Sequence, residues 1–394
     1  MRAVPSPALE AAIRRAGLRE TTDLTGATPA PTPVGRVLLH ESPEGALTWH
    51  SPAVAGTATA APGRVRAFVF DLADRVVEAF ERRHRPHRLR HFGREADEPV
   101  ELASLAGGPV LMLVHGTAST AASSFGGIPD HVLAGLVSAY DGRVVAFEHP
   151  TISVSPTDNV AWLADQLQVL GDRRLHVDLL AHSRGGLLSR LLAEQPDRSG
   201  GRIEVGRAVL VATPNAGTAL ASDHRLGQLL DRLTTLADRL PGNAATEVLE
   251  VVVMVVRQVV VGALDGLRGL AAMDPDGGFL TEELNVTPDR AASYAAVAAD
   301  YEPRPGSALA RVALDGLSDL VFADVPNDLV VPTEGCYLVP GPAGHRIEDR
   351  LVFDASAAVD HNGYWGRPSF ADHLLRWLDA GSAGNDPATP VVGH

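Results

Sequence analysis

LHVDLLAHSRGGLLSR, residues 175–190, joins two hydrophobic patterns through a short turn. Its first part, residues 175–180, alternates and then becomes continuously apolar, which is typical of a buried strand in a parallel sheet. The leucines of residues 187–192 recur at helical spacing. The stretch therefore predicts a strand and a helix that meet at residues 181–186, AHSRGG.

Ser183 lies in the middle of that turn. A serine on a sharp turn between a strand and a helix is a nucleophile elbow, because small residues two positions before and after it let the backbone turn tightly and expose the hydroxyl. Ala181 and Gly185 occupy those positions, although glycine is usual at the first. Ser183 is therefore the candidate nucleophile; the alternative is an ordinary turn in which it caps the following helix.

The composition is that of a globular protein, since 45% of its 394 residues are hydrophobic, and the length allows two or three domains. The formal net charge of −14 argues against nucleic acid or an anionic membrane surface as a partner, because both carry charge of the same sign. A single cysteine, Cys336, excludes an internal disulfide, and the beginning of the chain has no apolar segment typical of a signal peptide. We therefore expect a cytoplasmic location.

Residues 1–107 form an N-terminal region of unknown role, interrupted by many prolines. Its patterns predict a short helix at residues 8–17, a hairpin at 34–50 and a longer helix at 65–83, whose apolar residues recur every three or four positions.

A basic run, ERRHRPHRLRH at residues 81–91, follows the last of these predicted helices. It is either a site for an acidic ligand or phosphate, or a solvated helix end whose arginines complement the helix dipole. We favour the second interpretation, because no aromatic residues are interleaved for base stacking.

From Pro109 onward, strand and helix patterns alternate, which predicts a mainly parallel sheet with helices on both faces. Strands are predicted at residues 110–114, 143–147, 175–180, 207–212, 293–299 and 350–353, and helices at 130–139, 159–170 and 369–378, besides the one after Ser183. We expect one α/β domain over residues 108–380 and a disordered tail at 381–394.

Three segments together resemble the α/β-hydrolase fold, and within it the bacterial lipases and related serine esterases. They are His115-Gly116-Thr117 after the first buried strand, the AHSRGG elbow, and TPNAGT at residues 213–218. The resemblance covers about residues 108–380. It implies a serine esterase whose oxyanion hole consists of two backbone N–H groups, those of Thr117 and Arg184.

The resemblance also implies an acid and then a histidine after the serine. Asp328 lies in VPNDLVVP, residues 325–332, which is similar to the NDxxV segment that carries the lipase acid. Its rival is Asp300, which directly follows a predicted strand. We favour Asp328 on the motif.

The candidate base is His361, which follows one predicted strand and precedes the last predicted helix, where this fold presents its histidine. His345 lies in a Gly/Pro-rich loop and His373 inside a predicted helix, so both are weaker candidates. A buried histidine that only satisfies a hydrogen bond is the alternative for His361.

No metal or organic cofactor is predicted. Secreted lipases of this kind often carry a calcium-binding aspartate two residues after the histidine, and here that position is Gly363. Asp274 and Asp276 are too few and too irregular for a calcium loop.

Residues 219–285 form a long insertion between two core strands, where lipase-like hydrolases carry a lid. Its segment 248–261 is apolar on nearly every side, yet too short and too interrupted for a membrane span. It is either a helix that covers an acyl pocket or a buried packing helix or dimer surface. We favour the cover, because Gly262, Gly266 and Gly269 follow it as candidate hinges.

The sequence thus predicts a serine hydrolase that cleaves a lipophilic small-molecule or lipid ester, with Ser183, Asp328 and His361 as its triad. Acyl transfer, thioester cleavage and amide cleavage remain alternatives, because all share the acyl-enzyme. A non-catalytic binding module on the same fold is the alternative from another class of protein. The sequence does not determine an oligomeric state.

Overall fold

The computed structural model describes residues 6–23, 34–50, 62–71, 76–93, 100–222, 225–240, 242–260, 267–286, 292–302, 305, 307–308, 325–342 and 344–379. The predicted tail at 381–394 and the candidate hinges Gly262 and Gly266 lie outside these residues.

Thirteen strands are present in these residues. They are β1 (Arg19–Thr21), β2 (Val34–Glu41), β3 (Leu47–His50), β4 (Arg64–Asp71), β5 (Arg88–His91), β6 (Val110–Val114), β7 (Val144–Glu148), β8 (Leu175–His182), β9 (Ile203–Val211), β10 (Ser293–Ala299), β11 (Leu338–Val339), β12 (His345–Arg346) and β13 (Arg350–Phe353).

Eleven α-helices accompany them in the same described part of the chain. They are α1 (Pro7–Arg15), α2 (Val76–His84), α3 (Leu102–Leu105), α4 (Ala121–Phe125), α5 (Asp130–Ala139), α6 (Pro156–Gln166), α7 (Arg184–Glu194), α8 (Leu226–Ala237), α9 (Gly242–Val260), α10 (Arg268–Ala271) and α11 (Pro368–Asp379). Short 3₁₀-helices lie at Leu167–Leu170, Pro196–Ser199, Ala219–Ala221, Glu334–Cys336 and Ala355–Ala357, and a π-helix at Phe279–Leu284.

The main sheet has seven strands in the order β13-β10-β9-β8-β6-β7-β5. All neighbours are parallel except β5, which runs antiparallel to β7. Successive residues of β6 enter two different cores, Met112 on one face of the sheet and Leu113 on the other, because side chains alternate along a strand. The predicted mostly parallel sheet, covered on both faces, is confirmed.

Strand β5 belongs to this sheet although it precedes residue 108, where the α/β domain was predicted to begin. Its sequence, RLRH, is polar because it is an edge strand, so it gives no hydrophobic strand pattern. The sheet therefore extends into the region that the sequence left unassigned.

A second, antiparallel sheet has the order β1-β4-β2-β3 and includes the predicted hairpin as β2 and β3. The helix predicted at residues 65–83 is wrong in its first half, where β4 lies, and α2 begins only at Val76. Pairing with β1 and β2 on either side determines the conformation of β4, and these partners lie far away in sequence.

Helix α9 lies between the N-terminal elements and the helices that follow β6 and β9. It contacts α1, α2 and β2 on one side and α8 on another, and residues along its whole length are buried. These contacts explain why its sequence is apolar on nearly every side.

Candidate active site

The turn between β8 and α7 holds Ser183 in a strained backbone conformation, with φ +54° and ψ −131°. Such a conformation costs about 1–3 kcal/mol in a residue other than glycine, and it is common at functional sites. Neighbouring glycines make room for it: a Cβ on Gly185 would lie 2.2 Å from the Val114 carbonyl oxygen, and one on Gly186 would lie 1.9 Å from the Thr213 hydroxyl. The predicted elbow geometry is therefore present.

Ser183, His361 and Asp328 form one hydrogen-bonded chain. His361 Nε2 lies 3.0 Å from Ser183 Oγ, and its Nδ1 lies 2.8 Å from Asp328 Oδ2. All three residues are buried, at 3%, 4% and 0% exposure. This arrangement lets the imidazole accept a proton from the serine while the carboxylate orients the ring.

The loop after β10 holds the Asp328 carboxylate by several donors. Oδ1 accepts the backbone N–H groups of Val330 and Val331, at 3.0 and 2.8 Å, and Oδ2 accepts the Tyr364 hydroxyl at 2.9 Å. Burial alone would raise the pKa of Asp328, but the charge and hydrogen bond of His361 and the two backbone donors together lower it. Asp328 is therefore ionised at neutral pH.

The other candidates for the acid and the base, Asp300, His345 and His373, lie outside this hydrogen-bonded chain. The Asp300 N–H donates to the Phe353 carbonyl oxygen, and among the described residues the carboxylate that pairs with His361 is that of Asp328. His345 is in β12, and His373 is on α11, where its Nδ1 bonds the Ser369 carbonyl oxygen.

The backbone of His361 is fixed as well as its ring. Its N–H donates to the Asp328 carbonyl oxygen at 3.0 Å, and its own carbonyl oxygen accepts from His182 Nε2 at 2.9 Å. Burial, followed by the nearby charge of His361, lowers the pKa of His182 to about 3. His182 is therefore a neutral donor that positions the triad histidine.

Thr117 and Arg184, the residues predicted as oxyanion donors, lie near Ser183: Thr117 lines the same cavity, and Arg184 is the next residue in the chain. Arg184 is the first residue of α7, and an N–H at that position has no acceptor within its own helix. Thr117 follows Gly116, on which a Cβ would lie 2.8 Å from the Ser183 Cβ. The start of α7 and the loop after β6 thus both approach Ser183.

The Arg184 side chain is fully buried behind the elbow. Its Nε donates to the Gly269 carbonyl oxygen at 2.8 Å, and one terminal nitrogen donates to the Val154 carbonyl oxygen at 2.6 Å. Burial lowers its pKa to about 10, so it stays charged at neutral pH. Position 269 has room only for a glycine, because a Cβ there would lie 2.2 Å from the Thr151 carbonyl oxygen. Close packing therefore accounts for Gly269 without a role as a hinge.

A small cavity of about 40 Å³ lies above Ser183. Its polar side includes the triad residues Ser183 and His361, and its apolar side comes mainly from α8, α9 and the segment that joins them. The apolar residues that line it are Leu229, Leu233, Ala237, Leu240, Val248, Met273 and Val330. That volume holds about three water molecules, so a long acyl chain does not fit unless the apolar side moves.

Sequence reasoning missed Tyr364 and His182 as parts of the site. Tyr364 comes three residues after His361, and a buried tyrosine hydroxyl needs a partner, which is the one signal that the sequence offered. His182 precedes the nucleophile, but no pattern indicated that its ring reaches the backbone of His361.

No group of three His, Cys, Asp or Glu side chains suited to a metal ion is found in the described part of the chain. Gly363, which replaces the calcium-binding aspartate of the resemblance, packs against Asp360. Among the described helices, none has the length and apolar character to cross a bilayer.

The strand order and the elbow define the chain as an α/β-hydrolase fold, which confirms the predicted fold class. The chain belongs to the family described as "Domain of unknown function (DUF7379)", whose model matches residues 77–379. That match begins in α2 and includes β5. No curated protein matches the chain.

Solved structures of lipases and esterases are similar to this chain at low identity. Lipase BlEst2 from Bacillus licheniformis, in its mature form, is 18% identical with a TM-score of 0.41, over 71% of this chain and 96% of that one. Lipase 1 from Pelosinus fermentans is 13% identical with a TM-score of 0.45, over 71% and 100%. The metagenomic carboxyl esterase MGS0156 is 19% identical with a TM-score of 0.36, over 72% and 79%.

Proposed function

We propose that this protein is a serine hydrolase that cleaves a lipophilic carboxylic ester through an acyl-enzyme on Ser183. The observation that carries the proposal is the unbroken hydrogen-bonded chain from Ser183 through His361 to the buried Asp328. A strained serine at an elbow supports it further, because a turn that only caps a helix does not need this conformation.

In the first half of the reaction, His361 takes the proton of the Ser183 hydroxyl while the oxygen attacks the ester carbonyl carbon. The ester C–O bond breaks, and the imidazolium returns its proton to the departing alcohol. In the second half, His361 activates water, which releases the carboxylic acid and restores the serine. Asp328 stabilises the imidazolium and holds the ring in the required orientation.

The oxyanion of each tetrahedral intermediate is stabilised by the N–H groups of Thr117 and Arg184 in this proposal. The buried Arg184 side chain supports it indirectly, since its bonds to Gly269 and Val154 fix the start of α7. One lost oxyanion donor typically costs about 10²–10³ in kcat.

An apolar acyl group is the substrate feature that the cavity favours, because leucine, valine and methionine side chains line the side opposite the triad. We propose that residues 219–285 act as a cover, with α8 and α9 as the parts that move to admit the acyl chain. A fixed packing helix would leave about 40 Å³, which is too small for a long acyl chain.

Hydrolysis of 4-nitrophenyl esters from acetyl to palmitoyl, by the wild type and by Ser183→Ala, tests the proposal. We expect turnover that requires Ser183 and that depends on chain length. Equal turnover of every ester by the Ser183→Ala variant would contradict the role of Ser183.

A further inference from the structure

A second and larger cavity, which we call the arginine chamber, lies beside the catalytic cavity. It has a volume of about 400 Å³ and opens to solvent among α1, α2, β5 and α9. Its floor contains the buried residues His115, Glu148 and His149 at the ends of β6 and β7. These ends are the carboxyl edge of the parallel sheet, where ligands bind in folds of this type.

The arginine chamber borders the catalytic cavity directly. Ser119 lines both cavities, and its hydroxyl donates to the Gly116 carbonyl oxygen at 2.8 Å. Gly116 in turn packs against Ser183, and His115 on the chamber floor is its neighbour in the chain. The loop that supplies one proposed oxyanion donor therefore borders both cavities.

The structure divides the basic run of residues 81–91 into two halves. Arg82 and Arg83 are exposed on α2, and Arg82 pairs with Glu78 one turn away. Arg85, Arg88 and Arg90 instead line the arginine chamber. The solvated-helix interpretation thus fits the first half of the run, whereas the second half lines a cavity.

Each carboxylate in the arginine chamber already has an arginine partner. The nitrogen-to-oxygen distances are 2.7 Å for Arg90–Glu148, 3.7 Å for Arg85–Glu247 and 3.6 Å for Arg15–Glu250.

Arg88 is the arginine of the chamber for which no carboxylate partner is found among the described residues. No carboxylate of a described residue lies within ion-pair distance of Arg88, which is exposed at the chamber. Among the described residues, the chamber therefore offers a guanidinium that is in no ion pair, and its planar set of donors matches carboxylate and phosphate oxygens.

We propose that the arginine chamber binds the alcohol portion of the substrate and that this portion carries a carboxylate or phosphate, held by Arg88. The proposal rests on the proposed esterase function and specifies its substrate class: an ester with an apolar acyl group and an anionic alcohol. The acyl cavity cannot take the charge, because a charge buried against leucine side chains would have no partner. Hydrolysis adds one water and releases the acid on one side of Ser183 and the anionic alcohol on the other.

Three butanoate esters with the same acyl group test this proposal: 4-(butanoyloxy)benzoate, 4-(butanoyloxy)phenyl phosphate, and the neutral methyl ester of the first. We expect Arg88→Ala to lower kcat/KM at least tenfold for the anionic esters and to leave the neutral ester unchanged. Arg83→Ala, which removes an exposed arginine of the same run, is the matched control and should change none of them. The anionic ester whose kcat/KM falls more in Arg88→Ala shows whether the site prefers a carboxylate or a phosphate.

If the ratio of kcat/KM for the anionic esters to kcat/KM for the neutral ester is the same in Arg88→Ala and Arg83→Ala, the proposed anion site at Arg88 is wrong. The esterase function is unaffected by that result. Failure of the wild type on all three esters would count against the esterase function instead. In that case, calorimetric titration with 4-hydroxybenzoate and phenyl phosphate tests the chamber alone. Binding by the wild type that Arg88→Ala abolishes supports the anion site, and no binding by the wild type overturns it.

Discussion

Asp328 has more hydrogen-bond donors around it than orienting a histidine requires. Two backbone N–H groups, the Tyr364 hydroxyl and His361 all bond the same buried carboxylate. Since an unpaired buried carboxylate is strongly destabilised, these donors keep Asp328 ionised without help from solvent.

Asp328→Asn is expected to lower kcat by about 10³–10⁴, because the amide cannot stabilise the imidazolium and favours the wrong tautomer of His361. Asp300→Asn is the matched control and should retain activity near the wild-type level. Ester hydrolysis by the two purified variants measures the difference. The opposite pattern would transfer the acid role to Asp300.

Glu148 on the floor of the arginine chamber gives the protein a pH-dependent stability. Burial alone would raise its pKa, but the hydrogen bond and charge of His115 and the contacts of Arg90 lower it to about 2. Between about pH 4.5 and pH 2 the unfolded chain therefore binds more protons, so stability falls as the pH falls through this range. The contribution above that range is of the order of 3 kcal/mol.

The urea concentration at which half of the protein is unfolded should therefore decrease less between pH 5 and pH 3 in Glu148→Gln than in the wild type. Urea unfolding at both pH values measures this. An equal decrease in wild type and variant would show that other carboxylates account for the acid sensitivity.

At the residue scale, the sequence indicated Ser183 and Asp328 by short local motifs, and His361 by its place between a predicted strand and the last predicted helix. It could not predict Tyr364 or His182, since their roles depend on where the loop after β10 and the loop before α11 meet in space. Arg88 belongs to a run that the sequence indicated, but only the fold separates its cavity-lining residues from the solvated ones.

Among the elements, helix α8 of the proposed cover is hydrogen-bonded to the edge strand β3 of the N-terminal sheet. Asp231 accepts the backbone N–H of Trp49 in β3 at 2.7 Å, and the Trp49 indole donates to Thr234 at 3.0 Å. Since β3 is the edge strand of this sheet, a side chain of α8 thus accepts a backbone hydrogen bond that a further strand would otherwise accept. We propose that these contacts hold α8 in place above Ser183.

Asp231→Ala should loosen that contact and speed the labelling of Ser183 by a long-chain fluorophosphonate. A lost hydrogen bond of about 1 kcal/mol corresponds to about a fivefold larger open population. Arg64→Ala is the control, because it removes an exposed charged side chain of β4 in the same sheet. Equal labelling rates in both variants would argue against a cover that moves at α8.

The elements with long, regular patterns were predictable, and those determined by distant partners were not. Helix α5 and strands β10 and β13 occur at the predicted residues, because each has a pattern strong enough to define its ends. Strand β4 was mistaken for a helix, since the apolar residues from Val65 to Phe80 combine a strand with the start of α2. Its pairing with β1 and β2 is a tertiary effect.

In the whole molecule, one hydrophobic core joins the N-terminal sheet, the cover helices and one face of the main sheet. Phe68, Val252 and Met112 belong to this core, although they come from three separate parts of the chain. A continuous core of this kind favours cooperative unfolding. The N-terminal region is therefore part of the structure that forms the cover, which the sequence alone did not indicate.

Phe68→Ala should lower the stability of the whole protein by about 3–5 kcal/mol and keep a single unfolding transition. Urea denaturation, followed by fluorescence and by loss of esterase activity, measures both. A variant in which activity survives the first of two transitions would show that the N-terminal sheet unfolds independently.

The most direct test of the proposed chemistry is covalent labelling of the full-length protein by a fluorophosphonate, with the labelled peptide identified by mass spectrometry. We predict one label on Ser183, which is absent in Ser183→Ala and strongly reduced in His361→Ala, because only an activated serine attacks phosphorus at a useful rate. An unlabelled wild-type protein, or a label retained by Ser183→Ala, would contradict the assignment of Ser183 as the nucleophile.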